Sequence, residues 1–460
     1  MKAFTSIRAR YFGRYMTEFI LIGIYRVVLD YSYVLVMSPT HTFRWFPDHR
    51  TIEWLVISWT LLILCCLFWR GVLQGKDKTI SSRVLFFIFT LSYVPFTSCV
   101  SFGIISIKCV YYNFIYHSIL IITYLISCKF PISKRMVLSF SGIKIQEHIW
   151  RVVVLLMLLN ILYISISYTG LRFIPNYEDI YIIRKEAGNY HLPTIISYIY
   201  SMSRTFLAFV IGYYLLEKRF ILAAVVFLAQ LLSYSIDGAR IVLVYLFFTL
   251  ISMVFFYAIK MNYTNRIEEK HINNIFMIAL VFILILGCIE MSVFESFWIN
   301  GMVLRRLLLV PNYLHDVYLS FFLEHEPDYF QSGIFRHLGF ESDYASNGGI
   351  SRVIGAYLGH PSMNANNGML SDAVAQLGGM GIFIMPLIII ILLRFFDKCS
   401  VGLDGSLKFI CGFQLFFSLL SLSLGTVMLS NGSILISIFM ISIQRNMKDN
   451  INISSEVDNL

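Results

Sequence analysis

IFMIALVFILILGCIEMS, residues 275–292, carries one ionisable side chain, Glu290, near its end. A helix rises about 1.5 Å per residue, so a run of this length crosses most of a hydrocarbon layer about 30 Å thick. Eleven further runs of the same character lie at 19–37, 52–69, 84–107, 109–127, 152–169, 195–216, 220–236, 241–259, 369–393, 409–425 and 427–443. The third and fourth runs are parted only by Lys108 and the last is short, so about ten to thirteen spans bracket the expected twelve. Across 460 residues the chain is 58% hydrophobic and 14% charged, where soluble domains are about a quarter charged. The expected fold class is an all-α polytopic membrane protein, one integral domain over 1–460.

The net charge of +9 does not point to nucleic acid, because the basic residues are strung between apolar runs and form no stripe on a polar domain. The eight cysteines lie in or beside apolar runs, with no disulfide framework or CxxC metal motif. The basic start, MKAFTSIRARYFGRYMTEF, leads into a long apolar run without a small-residue cleavage site, which predicts a retained first helix. With both termini cytoplasmic, the inside segments hold 23 of the 36 basic residues and the outside segments 11, Arg26 and Arg204 falling within spans. That bias fixes the expected orientation. It places two loops outside, a smaller one at 170–194 and a large one at 293–368.

The large loop contains the residue types of a site for an anionic, sugar-bearing ligand. Arg305 and Arg306 precede LLLVPNYLHDVYLSFFLEHEP, a mixed apolar and polar run suited to a helix that lies in the interface or re-enters the membrane. Arginine binds phosphate oxygens in bidentate fashion and stays charged beside lipid. These arginines could equally pair with head groups or with Glu324, Glu326, Asp328, Glu341 and Asp343. Arg336 and His337 follow. Arg240, in SIDGARIVL, stands between two spans at a glycine turn, where a charge needs a partner or a purpose; Asp237 is the partner nearest in sequence. Arg26 and Asp30 are spaced for an intrahelical ion pair, and Arg204 has no acidic neighbour in sequence.

GHPSMNANNGMLSDAVAQLGGMG, 359–381, supplies amides that hydrogen-bond sugar hydroxyls, among them Asn364, Asn366 and Asn367, and glycines that let backbones approach. His360 and Asp372 are its acid/base candidates, since an acceptor hydroxyl must lose a proton as it attacks. The structural alternative has the asparagines making turns and Ser371 or Asp372 capping a helix. No Walker loop, GxSxG, HExxH or convincing Asp-x-Asp motif is present, which disfavours pumps, serine hydrolases, zinc proteases and nucleotide-sugar transferases.

In DGAR (237–240), RRLLLVPNYLHDVYLSFF (305–322) and NANNGMLSDAVAQLGGMG (364–381), and in the layout of many spans with one large loop in the C-terminal half, the chain resembles the Wzy-type oligosaccharide repeat-unit polymerases of bacterial O-antigen and capsule assembly. The resemblance implies a GT-C-like, metal-independent glycosyltransferase of the inner membrane that needs no cofactor. It would pass a growing glycan from undecaprenyl pyrophosphate to a lipid-linked repeat unit, with a chain-length regulator as a partner. Arg240, Arg306 and Arg305 would grip the pyrophosphate, and His360 or Asp372 would take the acceptor proton. His337 and His360 match no family motif and rest on residue type. An O-antigen ligase shares the architecture, and a lipid-linked oligosaccharide flippase is the reading from another class.

Overall fold

The computed structural model describes residues 2–37, 46, 48–74, 78–130, 147–172, 180–261, 271–332, 339 and 341–443, and every regular element among them is helical. In chain order the helices of eight residues or more are α1 (Thr17–Met37), α2 (Ile52–Phe68), α3 (Ile80–Ser101), α4 (Ile107–Cys128), α5 (Glu147–Thr169), α6 (Ile180–Gly188), α7 (Thr194–Leu216) and α8 (Phe220–Asp237). They continue as α9 (Arg240–Lys260), α10 (Ile272–Phe294), α11 (300–322), α12 (Ile350–Tyr357), α13 (Leu370–Cys399), α14 (Gly405–Ser421) and α15 (Leu424–Ile443). Among the described residues ten of these are long and apolar enough to cross a membrane, the make-up of a polytopic membrane protein. The expected count of twelve is met only in part. All twelve runs fall on helices, but α2 and α14 have 17 residues each and stand short of the others.

Contacts sort the helix ends into two faces. On one, the Ser81 backbone N–H and hydroxyl donate to Asp397 at 2.8 and 2.6 Å, Arg83 reaches Asn273 at 2.7 Å, and Lys260 reaches Asp404 at 2.7 Å. Arg219 pairs there with Glu147. On the other, His49 N–H donates to Phe102 O at 3.0 Å, Ser98 to Asp30, Ser106 to Asp316, and Leu424 N–H to Asp372 at 2.7 Å. Consecutive spans must alternate in this way, and the described residues do so from α3 to α15.

α3 runs through the middle, its apolar window wholly buried. Its Phe87 meets Phe409 and Phe413 of α14, and Phe413 stacks on Phe248 of α9 with ring centroids 3.6 Å apart. Three of its hydroxyls, on Thr90, Thr97 and Ser101, donate to its own backbone at 2.9, 2.8 and 2.8 Å, so they cost little in an apolar surround. Arg26 and Asp30 pair at 2.9 Å as their spacing predicts.

Glu290, the lone charge in the run that decides the fold, turns the chain out of α10. It accepts from Ser296 Oγ and from the N–H groups of Trp298 and Ile299, each at 2.8 Å. The chain then enters α11, wound as a π-helix over Asn300–Leu309 and as an α-helix over Val310–Phe322. Pro311 stands at the junction of the two windings. The mixed polarity of this stretch foretells a helix, and it packs against the first turns of α13.

Candidate functional site

α13 is bent. Leu370–Leu377 and Gly381–Cys399 are joined by a single tight turn, Gly378–Met380, and a Cβ on Gly381 would lie 1.9 Å from Ala373 O. Only glycine permits that approach. The chain reaches α13 through Gly368, whose N–H donates to Leu420 O at 3.0 Å and whose missing Cβ would lie 2.0 Å from Leu419 O. Met369 follows with φ +50°, a left-handed conformation rare outside glycine and a common mark of functional sites. It stands at the helix cap without a side-chain hydrogen bond, so neither Ser371 nor Asp372 caps α13.

Asp372 instead faces α15. One carboxylate oxygen accepts from Leu424 N–H at 2.7 Å and the other from Gln376 Nε2 at 3.3 Å. The Gln376 amide is held in that sense because its Oε1 accepts from Phe330 N–H at 2.8 Å. Asp372 is 4% exposed and forms part of the wall of a cavity of about 230 Å³. Asn366, Asn367, Tyr318, Ser423 and Thr426 line the same cavity. Two neighbouring cavities continue toward α8. One of about 400 Å³ is bounded by Ser197, Ser201 and Ser430, and one of about 230 Å³ by Ser197, Ser201, Arg204 and Asp237. Thr426 of the first cavity and Ser430 of the second are joined by a Ser430 N–H to Thr426 O bond of 3.1 Å at the start of α15, and the second and third share Ser197 and Ser201 of α7.

Behind Asp372 the site rests on a buried network. Asn367 Nδ2 donates to Pro311 O at 2.9 Å and to Ser371 Oγ at 2.7 Å, which leaves the Ser371 hydroxyl to donate to His315 Nδ1 at 2.9 Å. Burial, with the neighbouring His117 second, pushes the His315 imidazole down to about 3, so it is neutral. Tyr318 O–H donates to Ala365 O at 2.8 Å, fixing α11 against the loop that carries the asparagines.

Of the residues singled out from sequence, the cavity brings together Asp372, Asn366 and Asn367. Asn364 is exposed and not part of its wall. His360 is also exposed and outside the wall, its N–H bonded to Gly355 O at 2.9 Å in a turn that a side chain on Gly355 would obstruct. His337 and Arg336 lie outside the described residues. Arg240 is half-buried at the start of α9 and donates to Met302 Sδ at 3.0 Å, one turn before Arg305 and Arg306 in α11. Arg240 of α9 thus touches the turn of α11 that leads to Arg305 and Arg306, on the Asp372 face, though none of the three lines the Asp372 cavity. Asp237 pairs with Arg204 and not with Arg240. The Arg204–Asp237 pair joins residues 33 positions apart, a link that sequence spacing does not disclose.

His315 and Tyr318 lie in the stretch 305–322 and Gln376 in 364–381, but residue type marks none of them as a candidate, and Ser423 and Thr426 lie outside those stretches. Their only sequence signal is a polar residue on the apolar period of a helix, or just at its entry. Among the described residues no three His, Cys, Asp or Glu side chains gather as metal ligands. Compared with protein-family models, with curated proteins and with solved structures, the chain matches none.

Proposed function

We propose that the protein is a membrane-embedded glycosyltransferase that polymerises lipid-linked oligosaccharide repeat units at the outer face of the inner membrane, with both termini cytoplasmic, α2 and α14 completing twelve spans, and a GT-C-like plan. The observation that carries this reading is the Asp372 carboxylate set in a cavity of about 230 Å³ whose walls bring it together with the amides of Asn366, Asn367 and Gln376 and the hydroxyls of Tyr318, Ser423 and Thr426, beside Ile350, Ala375 and Leu422. Such groups match the alternating donors and acceptors of a sugar. The adjoining serine-lined cavities give an extended glycan room beyond one residue.

In this reading Asp372 accepts the proton of the acceptor hydroxyl as that oxygen attacks the anomeric carbon. Asn366 orients the acceptor, and Gln376 holds the carboxylate in place. The bond from the anomeric carbon to the pyrophosphate oxygen breaks, and the carrier pyrophosphate leaves with the electron pair. Arg240, Arg305 and Arg306, on the same face, meet the charge that builds on it. Undecaprenyl pyrophosphate is the expected carrier and a chain-length regulator the expected partner.

Replacing Arg306 or Arg240 with Ala tests the arginine role. Each variant, expressed at the normal level, is expected to shorten or abolish the long glycan. Full-length glycan from both variants would remove the arginines from the mechanism.

A further inference from the structure

Where α13 bends, a strap of the preceding chain is laid against its first half. Asp328 N–H donates to Ala375 O at 2.8 Å and Tyr329 N–H to Gln376 O at 3.1 Å. Tyr329 and Phe330 then both take left-handed φ, +49° and +63°, a conformation that costs residues with a Cβ. The pair reverses the strap and returns Ser332 to Asp328. The Ser332 N–H donates to the two carboxylate oxygens at 3.0 and 3.2 Å, its hydroxyl to one of them at 2.6 Å, and the Ser342 hydroxyl to the other at 2.6 Å. Asp328 is buried, and these donors satisfy it there.

Ser332 lines the Asp372 cavity. Its one hydroxyl proton is committed to a carboxylate, so toward a ligand it offers lone pairs alone. Other groups of the wall are spent in the same way. Tyr318 donates to Ala365 O at 2.8 Å and Ser421 to Phe417 O at 2.9 Å, while the Asn367 amide donates to Pro311 O at 2.9 Å and Ser371 Oγ at 2.7 Å. With the Asp372 carboxylate, five polar groups of the wall are left as hydrogen-bond acceptors. Donors remain, as at the exposed Asn366, but among the described residues no Lys, Arg or His lines the cavity.

A wall of this kind discriminates by charge. A sugar hydroxyl can turn its proton toward an acceptor oxygen. A carboxylate or phosphate oxygen has no proton to turn, and beside Asp372 it also meets a charge of its own sign, which lowers affinity about tenfold or more. Taking Asp372 as the base of the proposed transfer, we propose that the sugar bound against it is uncharged and hydroxyl-rich, held by the protons it donates, and that acidic sugars are excluded there. Ser332 is a specificity-determining residue of this subsite. Asp328, which is not part of the wall, is the positioning residue that fixes the Ser332 proton.

The test measures binding of free methyl glycosides to the full chain, purified in detergent and held at a pH of about 7.5, by saturation-transfer NMR. Methyl glucoside against methyl glucuronate, and methyl galactoside against methyl galacturonate, are matched pairs in which a hydroxymethyl group becomes a carboxylate. The neutral member of at least one pair is expected to bind about tenfold or more tightly than its acidic partner. Asp372→Asn, which removes the charge and adds an amide donor, should erase most of that preference. Ser332→Ala should weaken the neutral sugar about fivefold, and Ser332→Thr, which keeps the hydroxyl, should not. Asp328→Ala frees the Ser332 proton and should narrow the preference, whereas equal weakening of both sugars would overturn its positioning role. Acidic sugars that bind as tightly as their neutral partners, no binding of either neutral sugar, or an unchanged preference in Asp372→Asn would overturn the proposal. An Asp372→Asn chain that loses the preference yet still makes glycan would retire Asp372 as the base and leave the subsite standing.

Discussion

A buried carboxylate with hydrogen bonds from Leu424 N–H and Gln376 is held in one orientation, and that orientation can be tested with one atom. In Asp372→Asn the new Oδ1 can still accept from Leu424, but the new amide meets the Gln376 amide donor to donor, so a loss of about 1 kcal/mol in stability is expected. Transfer activity should fall far more, about 10²- to 10⁴-fold, if the proton leaves through this residue. Thermal unfolding and glycan synthesis measured on the same preparation separate the two effects. His315 gives a second expectation. Its imidazole is held neutral by burial, so it contributes stability that is present above pH 6.5 and lost as the pH falls toward about 3. At pH 5 that loss is about 2 kcal/mol, so His315→Gln should narrow the gap between the unfolding temperatures at pH 7.5 and pH 5. At this scale local pairs such as Arg26 and Asp30 are legible in sequence because the helix repeat brings them together. Arg204 and Asp237 are not, because only the packing of α7 on α8 makes them neighbours. A double-mutant cycle on thermal stability should accordingly show coupling between Asp237 and Arg204 of about 1 to 3 kcal/mol and much less between Asp237 and Arg240.

At the scale of the element, the bend in α13 and its entry at Gly368 place Asp372 against α15. Three glycines of this stretch, Gly368, Gly379 and Gly381, differ in what surrounds them. A Cβ at Gly368 or Gly381 would collide with backbone oxygen at 2.0 or 1.9 Å, while Gly379 has nothing within 4 Å. Gly368→Ala and Gly381→Ala are therefore expected to cost about 1 to 3 kcal/mol or more, and Gly379→Ala to be close to neutral, in thermal unfolding of the purified protein. The repeated glycines announce close packing in the sequence, but not which of them bears it. The helical runs are legible because apolar length is a direct consequence of the lipid solvent. What is not legible is the shortness of α2 and α14, 17 residues each, or that α14 is largely buried among its neighbours while α2 buries only Ser58, Leu62, Cys65 and Cys66. α11 illustrates the same limit. Its mixed polarity foretells a helix, yet His315 reads as an ordinary polar residue until α13 supplies Ser371 beside it.

Across the whole molecule, the described ends alternate between two faces, and the basic residues gather on the face that lacks Asp372. The Asp372 face carries the bent helix, the asparagine loop, the three arginines of α9 and α11, and a run of polar cavities. The proposed function requires a site on one side only, and the polar cavities lie on that side. Its central claim is that glycan transfer takes place at Asp372. Electrophoresis of surface polysaccharide from a host with the gene deleted, complemented with the unmodified chain or with Asp372→Asn, tests that claim most directly. The account predicts that deletion removes the ladder and leaves core plus one repeat, that the unmodified chain restores the ladder, and that Asp372→Asn, inserted at the same level, does not. A full ladder from Asp372→Asn, or a deletion strain with an unchanged ladder or with no repeat on its core, would contradict it.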